Sequence, residues 1–203
     1  MRTARIAVLV SGGGTNLGAM IKAMRDGKLV SGKIELVISN KADAYALQRA
    51  QQAGIPTETV LRKDHPSADA FEDHLMVLLS AYQIDLIVLA GFMSILSARF
   101  TGAYPERIIN VHPSLIPAFC GKGFYGLRVH EAALAYGVKV TGATVHFVNE
   151  VPDGGRIIMQ KAVAIREDDT PQTLQKRVMR LAEWQILPAA VEKVSAALMA
   201  ESE

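Results

Sequence analysis

The 203-residue sequence predicts an α/β fold: a Rossmann-like open, mostly parallel sheet with helices on both faces and an antiparallel extension in its C-terminal part. Three observations carry this. Nearly continuous apolar runs alternate with amphipathic segments as far as Val111, the pattern of buried parallel strands joined by helices. The first apolar run opens directly into Gly12-Gly13-Gly14 and then a helix. Beyond Val138, two β-rich runs are separated only by Asn149-Glu150-Val151-Pro152-Asp153-Gly154-Gly155, the composition of a hairpin connection.

In chain order, residues 4–10 read as the first buried strand. Leu17, Met20, Ile21 and Met24 then keep a helical period to Arg25, with Thr15 or Asn16 as the expected N-cap. Ile34–Ser39 is the second strand, Asp43–Ala53 a helix that Gly54 closes, and Thr57–Leu61 a short third strand after Pro56. Ser67–Tyr82 is amphipathic, with Phe71, Leu75, Leu78 and Leu79 on one face. Glu72, Asp73 and His74 lie off that face, and His65 and His74 are expected in solvent. Ile84–Ala90 is deeply apolar, and Arg107–Val111 is the next strand. Residues 118–126, with three glycines and three aromatics, read as a loop. Leu127–Tyr136 is a helix closed by Gly137, and Val138–Val148 and Arg156–Ile165 are strands. Asp168-Asp169-Thr170-Pro171 starts a helix running from Gln172 to Leu187, where Pro188 is expected to interrupt it before a last helical piece, Ala189–Met199. There is no internal repeat and no long linker, so one domain is expected.

Composition narrows the function classes. Half the residues are apolar, and the net charge of +2 is spread without a basic block, which argues against nucleic-acid or membrane-surface binding. No run approaches the ~18 apolar residues of a membrane span, and the N-terminal apolar run is too short for a signal peptide. A single cysteine, Cys120, excludes an intramolecular disulfide framework, so a cytoplasmic enzyme acting on small molecules is expected.

Four features ask for chemistry. Strand, glycine-rich turn and helix aim backbone N–H groups and a helix N-terminus at an anion. The turn lacks the third glycine of a dinucleotide fingerprint, where Leu17 stands, and an acid at the end of the second strand, where Ser39-Asn40 stands. The Gly-Lys-Ser/Thr of a Walker loop is also absent, leaving a site for one phosphate, or a bare tight turn. Asn110 and His112, two apart at a strand end that Pro113 stops, point the same way. Asp153 precedes a glycine pair, and Glu183 lies on a helix. Singly, each has a structural explanation: a turn aspartate, a solvated glutamate, a hydrogen-bonded histidine, an asparagine ending a ladder. Together they suggest an oxyanion-stabilising pair with a nearby carboxylate to move a proton. No activated nucleophile accompanies them, since Ser114 has no nucleophile-elbow context. Direct attack of one bound substrate on another is expected.

Five separated stretches carry a resemblance: Val10-Ser-Gly-Gly-Gly-Thr-Asn-Leu17, Ser39-Asn-Lys-Ala-Asp43, Leu89-Ala-Gly-Phe-Met-Ser-Ile-Leu-Ser97, Asn110-Val-His-Pro-Ser-Leu-Ile-Pro117 and His146-Phe-Val-Asn-Glu-Val-Pro-Asp-Gly-Gly155. From about residue 4 to residue 193, the chain resembles the phosphoribosylglycinamide formyltransferases, the folate-dependent glycinamide ribonucleotide transformylases of purine synthesis. The resemblance implies formyl transfer from 10-formyltetrahydrofolate, as co-substrate and without a metal, to the glycinamide amine. It implies Asn110, His112 and Asp153 as catalytic residues. Gly12, Gly13, Gly14, Thr15, Asn16 and Glu183 would hold the ribonucleotide. Met93, Ser94, Ile95, Leu96, Asn110, Asn149, Glu150, Val151 and Asp153 would hold the folate. On this reading residues 1–111 form the phosphate-binding parallel part. Residues 112–203 supply the folate-site loops, antiparallel strands and C-terminal helix of a monomer or homodimer.

The chain departs from that family in five places. Ser94 stands where an Arg usually follows Gly-Phe-Met, and Ala68 where an Arg often opens the third helix. About five residues are inserted around Cys120 to Tyr125, before Gly126-Leu127-Arg128-Val129-His130. One extra residue precedes Glu183, and Trp184 replaces a common His. Rival readings are another formyltransferase or a hydrolase on the same core, a non-catalytic phosphate-ligand sensor, and a metal site using Cys120 with His112, His130 or His146. Separations of 8, 10 and 26 residues match no compact zinc spacing.

Overall fold

A computed structural model describes residues 2–201. Seven strands form one sheet in the order β3-β2-β1-β4-β5-β6-β7. β1 (Ala4–Val10), β2 (Gly32–Ser39), β3 (Thr57–Thr59), β4 (Leu86–Leu89) and β5 (Ile108–His112) are parallel. β6 (Val140–Phe147) runs antiparallel to β5, and β7 (Ile157–Ala164) antiparallel to β6. The mixed sheet with an antiparallel C-terminal extension is the architecture expected from the sequence.

Strand alternation divides the core into two layers. Ile6, Val8 and Val10 of β1 and Ile109 and Val111 of β5 face the helices α1 (Thr15–Arg25), α2 (Tyr45–Gln52), α6 (Pro171–Val178) and α7 (Trp184–Ala200). Ala7, Leu9 and Ile108 face α3 (Ala68–Ala81) and α4 (Ala98–Ala103). α5 (Leu127–Tyr136) packs beside α6 and ends at Gly137, whose φ of 81° suits a left-handed cap. Asn110 and His112 continue the parity of Ile108, as the two-residue spacing requires.

Chain connections run one way from β1 to β2 and β3, and β4 lies on the other side of β1. The crevice at this reversal, beyond the strands' carboxyl ends, is where open α/β sheets bind ligands. Here the loops after β1 and β4 are tied together, with Met93 N–H donating to Ser11 Oγ at 2.8 Å.

Local chemistry explains most boundaries and corrects several expectations. Ser67 Oγ caps α3 by accepting from Ala70 N–H, and Ser97 Oγ caps α4 by accepting from Phe100 N–H. α4 itself was not foreseen, because six residues are too few to show a period. Glu72 is buried rather than solvated, and its carboxylate accepts from Ser97 N–H at 2.7 Å and from Ser97 Oγ. His65 and His74 lie at the surface as expected, and their rings meet at 3.0 Å. At α1 neither Thr15 nor Asn16 is the N-cap; Gly14 takes that position at φ 65°. The C-terminal helix does not break at Pro188, which lies inside α7. The irregularity is a π-helical turn at Met179–Glu183, between α6 and α7. A π turn absorbs one surplus residue inside a continuous helix.

Candidate active site

The end of β5 builds the centre. Asn110 pairs in register with His146 on β6, and its Nδ2 lies 3.2 Å from His146 Nε2. His146 Nδ1 sits 2.7 Å from the Phe147 carbonyl, which only accepts, so Nδ1 carries the proton and Nε2 is free to accept from Asn110. His112 lies two register pairs further on, opposite Thr144, 4% exposed. The loop from β6 to β7 folds back over the strand ends and brings Asp153 against both imidazoles. Its Oδ2 is 3.5 Å from His112 Nδ1, and its Oδ1 is 3.6 Å from His146 Nε2. Both separations are too long for direct hydrogen bonds, and that to His112 suits an ion pair. Two backbone features shape this loop. Asp153 adopts φ 57°, and a Cβ on Gly155 would lie 1.8 Å from the Phe147 carbonyl oxygen.

Burial pushes the Asp153 carboxyl up, but its interaction with His146, the charge of His112 and the Gly121 N–H outweigh that and hold it below the usual carboxylate range. Gly121 N–H donates to Asp153 Oδ2 at 2.8 Å, and His112 Nε2 donates to the Phe119 carbonyl at 2.9 Å. Both ring nitrogens of His112 therefore face protein groups. Thr144 fixes the segment after β5: its Oγ1 donates to the Ser114 carbonyl at 2.7 Å and accepts from Ile116 N–H at 3.1 Å.

The glycine turn borders the other side. A Cβ on Gly14 would come within 2.5 Å of the Ala46 Cβ, so this position demands glycine. Arg49 Nε donates to the Gly13 carbonyl at 2.8 Å, and Ala46 N–H to the Gly12 carbonyl at 3.0 Å, which braces the turn on α2. Asn16 Nδ2 donates to Glu183 Oε2 at 2.7 Å, joining α1 to the π turn across 167 residues. Glu183 is therefore not a solvated helix residue. Its burial raises the carboxyl pKa, and the Asn16 hydrogen bond opposes the rise.

A cleft of about 800 Å³ unites these groups. Asn16, Met93, Ser94, Ile95, Asn110, His112, Asp153 and Glu183 line it, so both halves of the expected site converge. Gly12 to Thr15 lie beside the wall rather than on it, Leu96 is buried in the core against α3, and Asn149, Glu150 and Val151 belong to the loop that carries Asp153. Sequence reasoning gave no catalytic place to His146 or His130. His146 is signalled by Thr144 and His146 recurring two apart in an otherwise buried strand. His130 lines the cleft with a fully buried ring whose two nitrogens lack partners, and burial with the charge of His112 lowers its pKa to about 4. Among the described residues, no group of three or more His, Cys, Asp or Glu side chains is arranged to hold a metal ion.

A family model described as formyl transferase matches residues 4–191. The chain belongs to the formyl transferase family. Within this family it is 43% identical to the phosphoribosylglycinamide formyltransferase of Haemophilus influenzae, over 93% of this chain and 85% of that protein. It is 44% identical to the human trifunctional purine biosynthetic protein adenosine-3 over 96% of this chain, but spans only 18% of that protein's length. The crystal structure of glycinamide ribonucleotide transformylase 1 from Symbiobacterium toebii superposes with a TM-score of 0.89 at 42% identity, covering 96% of this chain and 89% of that one. Two positions singled out in the sequence have a clear structural place. Ser94 Oγ accepts from Asn40 Nδ2 at 2.9 Å, linking the loop after β4 to the end of β2. Glu183 closes the π turn and lines the cleft.

Proposed function

We propose that this chain transfers the formyl group of 10-formyltetrahydrofolate to the amine of 5-phosphoribosylglycinamide, giving N-formylglycinamide ribonucleotide and tetrahydrofolate in purine synthesis. The observation that carries this is the convergence of Asn110, His112 and Asp153 on one cleft with no activated nucleophile. Ser114 Oγ is fully buried and donates to the Ala118 carbonyl at 2.6 Å. Cys120 Sγ lies against the Pro117 carbonyl, and burial together with the charge of Asp153 pushes its thiol pKa up. Neither forms an acyl-enzyme readily.

Asn110 donates from its carboxamide to the formyl oxygen, and His112 stabilises the developing oxyanion by its charge. The amine nitrogen bonds to the formyl carbon, and the bond from that carbon to the folate nitrogen breaks. Asp153 accepts the proton the amine sheds and passes it toward the leaving nitrogen, directly or through water. Gly12, Gly13, Gly14, Thr15 and Asn16 hold the phosphate, and Glu183 accepts from ribose hydroxyls. Met93 and Ile95, half or more exposed on the cleft, offer apolar surface to a flat ring beside Ser94, with Leu96, Asn149, Glu150 and Val151 completing the folate side. Residues 1–203 act as one domain in this reading, with 1–111 and 112–203 both contributing to each side of the cleft. It has small-molecule substrates, no metal and no nucleic acid, a monomer or homodimer, and a cytoplasmic place. No described helix is long and apolar enough to cross a membrane.

Asp153→Asn keeps the shape and removes the base. Calorimetry should show ribonucleotide binding within a few-fold of wild type, while formyl transfer falls by about 10²–10⁴-fold. Transfer at the wild-type rate would rule out the assigned role; loss of both binding and transfer would point to a structural Asp153.

A further inference from the structure

The loop of residues 118–126 touches both members of the His112/Asp153 pair with its backbone. The Phe119 carbonyl meets His112 Nε2 at 2.9 Å, and the Gly121 N–H meets Asp153 Oδ2 at 2.8 Å. That same carboxylate oxygen is the one 3.5 Å from His112 Nδ1. A carbonyl only accepts, so this contact keeps a proton on Nε2 and leaves Nδ1 as the nitrogen that faces the carboxylate.

The segment is held firmly enough to impose this. The Phe119 ring stands edge-on to Phe124 and Tyr136, with centroids at 6.4 and 6.0 Å. Ala118 N–H bonds the Leu115 carbonyl at 3.0 Å, and Phe124 N–H the Gly121 carbonyl at 3.1 Å. Phe119 itself is left-handed at φ 49°, a conformation a non-glycine residue keeps only where its surroundings hold it.

We propose that the 118–126 segment is a positioning element for formyl transfer, in which the Phe119 carbonyl anchors the His112 ring by accepting from Nε2 and the Gly121 N–H holds the Asp153 carboxylate aimed at Nδ1. This rests on the formyl-transfer reading above and adds to it a backbone device supplied by this loop. The charged and titratable groups around Asp153 are His112 from β5, His146 from β6 and Cys120 from the segment. His130 of α5 faces His112, and Lys122 lines the same cleft.

Gly121→Pro deletes the N–H, and Gly123→Pro imposes comparable backbone strain, since the two residues have φ of 86° and 94°. Carbon-13 NMR of the Asp153 carboxyl, in ligand-free protein, should show its midpoint raised by about one pH unit in Gly121→Pro and unmoved in Gly123→Pro. In transfer assays, the acid limb of kcat for Gly121→Pro should rise with it, while KM for the ribonucleotide stays within about twofold. Phe119→Ala, which keeps the Gly121 N–H, covers the case in which the proline variant does not fold. Nitrogen-15 shifts should then show the His112 Nε2–H resonance moving as its hydrogen bond to the residue 119 carbonyl is lost. The proposal is overturned by a wild-type Asp153 midpoint in Gly121→Pro, by equal shifts in both proline variants, or by an unchanged His112 Nε2–H resonance in Phe119→Ala. The NMR readouts need no substrate, so they stand apart from any failure of the formyl-transfer assignment.

Discussion

Replacing Asn16 by Ala strands the Glu183 carboxylate. Its hydrogen bond of 2.7 Å joins residues only 8% and 7% exposed, so water cannot readily replace the lost donor. A hydrogen bond to a charged buried acceptor is worth about 1.5–3 kcal/mol. At roughly 2–4 °C per kcal/mol for a chain of about 200 residues, the Tm should fall by about 3–12 °C. The sign with pH follows from the raised pKa of Glu183. A folded-state pKa above the unfolded value means that this site's stability is fully present below about 4.5, the ordinary glutamate value, and is lost as pH rises through the folded pKa. Glu183→Gln should therefore stabilise the protein at pH 8 more than at pH 4, while weakening the ribonucleotide. The Asn16→Ala cost should be larger at pH 8 than at pH 4. In the Glu183→Gln background it should shrink toward the roughly 0.5–1.5 kcal/mol of a neutral hydrogen bond. Urea melts of the four proteins at both pH values give the double-mutant cycle. Additive, pH-independent losses would refute the reasoning, because they would mean that the charge of Glu183 is not what Asn16 satisfies.

Three further outcomes are expected. Gly14→Ala forces a Cβ to 2.5 Å from Ala46 at φ 65°, so it should cost about 1–3 kcal/mol in melts and raise the ribonucleotide KM by tilting the turn. Asp169 is held down to about 2, chiefly by its hydrogen bond to Arg177, so its contribution is present above about 3.8 and is lost as pH falls through about 2. Asp169→Asn should flatten the acid side of a Tm-versus-pH curve between those values. Thr144→Val leaves the Ser114 carbonyl and Ile116 N–H without their buried partner, at about 1–3 kcal/mol by denaturant melts.

The parts of the fold that depend on local rules were legible in the sequence. Apolar runs placed β1, β2 and β4 because strands buried on both faces show no competing pattern, and Gly137 and Thr170-Pro171 marked helix ends by their backbone chemistry. Asn110 and His112 could be put on one face by parity alone. What was not legible depends on distant partners. Glu72 looks solvated until Ser97, 25 residues away, is brought to it. Glu183 looks solvated until Asn16 arrives from the far end of the chain. Pro188 suggested a break, whereas the irregular turn lies just before α7, which carries Pro188 without interruption. His146 escaped a catalytic reading because its contacts come from strand register and from the returning 149–155 loop, neither of which a spacing rule reports.

The most direct test of formyl transfer is an absorbance assay of 10-formyltetrahydrofolate deformylation, run with and without glycinamide ribonucleotide. With Asn16, Glu183 and Asn110/His112/Asp153 on one cleft, the proposed function predicts deformylation only when the ribonucleotide is present, with one N-formyl product per folate released. Deformylation at the same rate without ribonucleotide would show that water is the acceptor, and silence in both would leave a ligand-binding protein without this chemistry; either result contradicts the assignment.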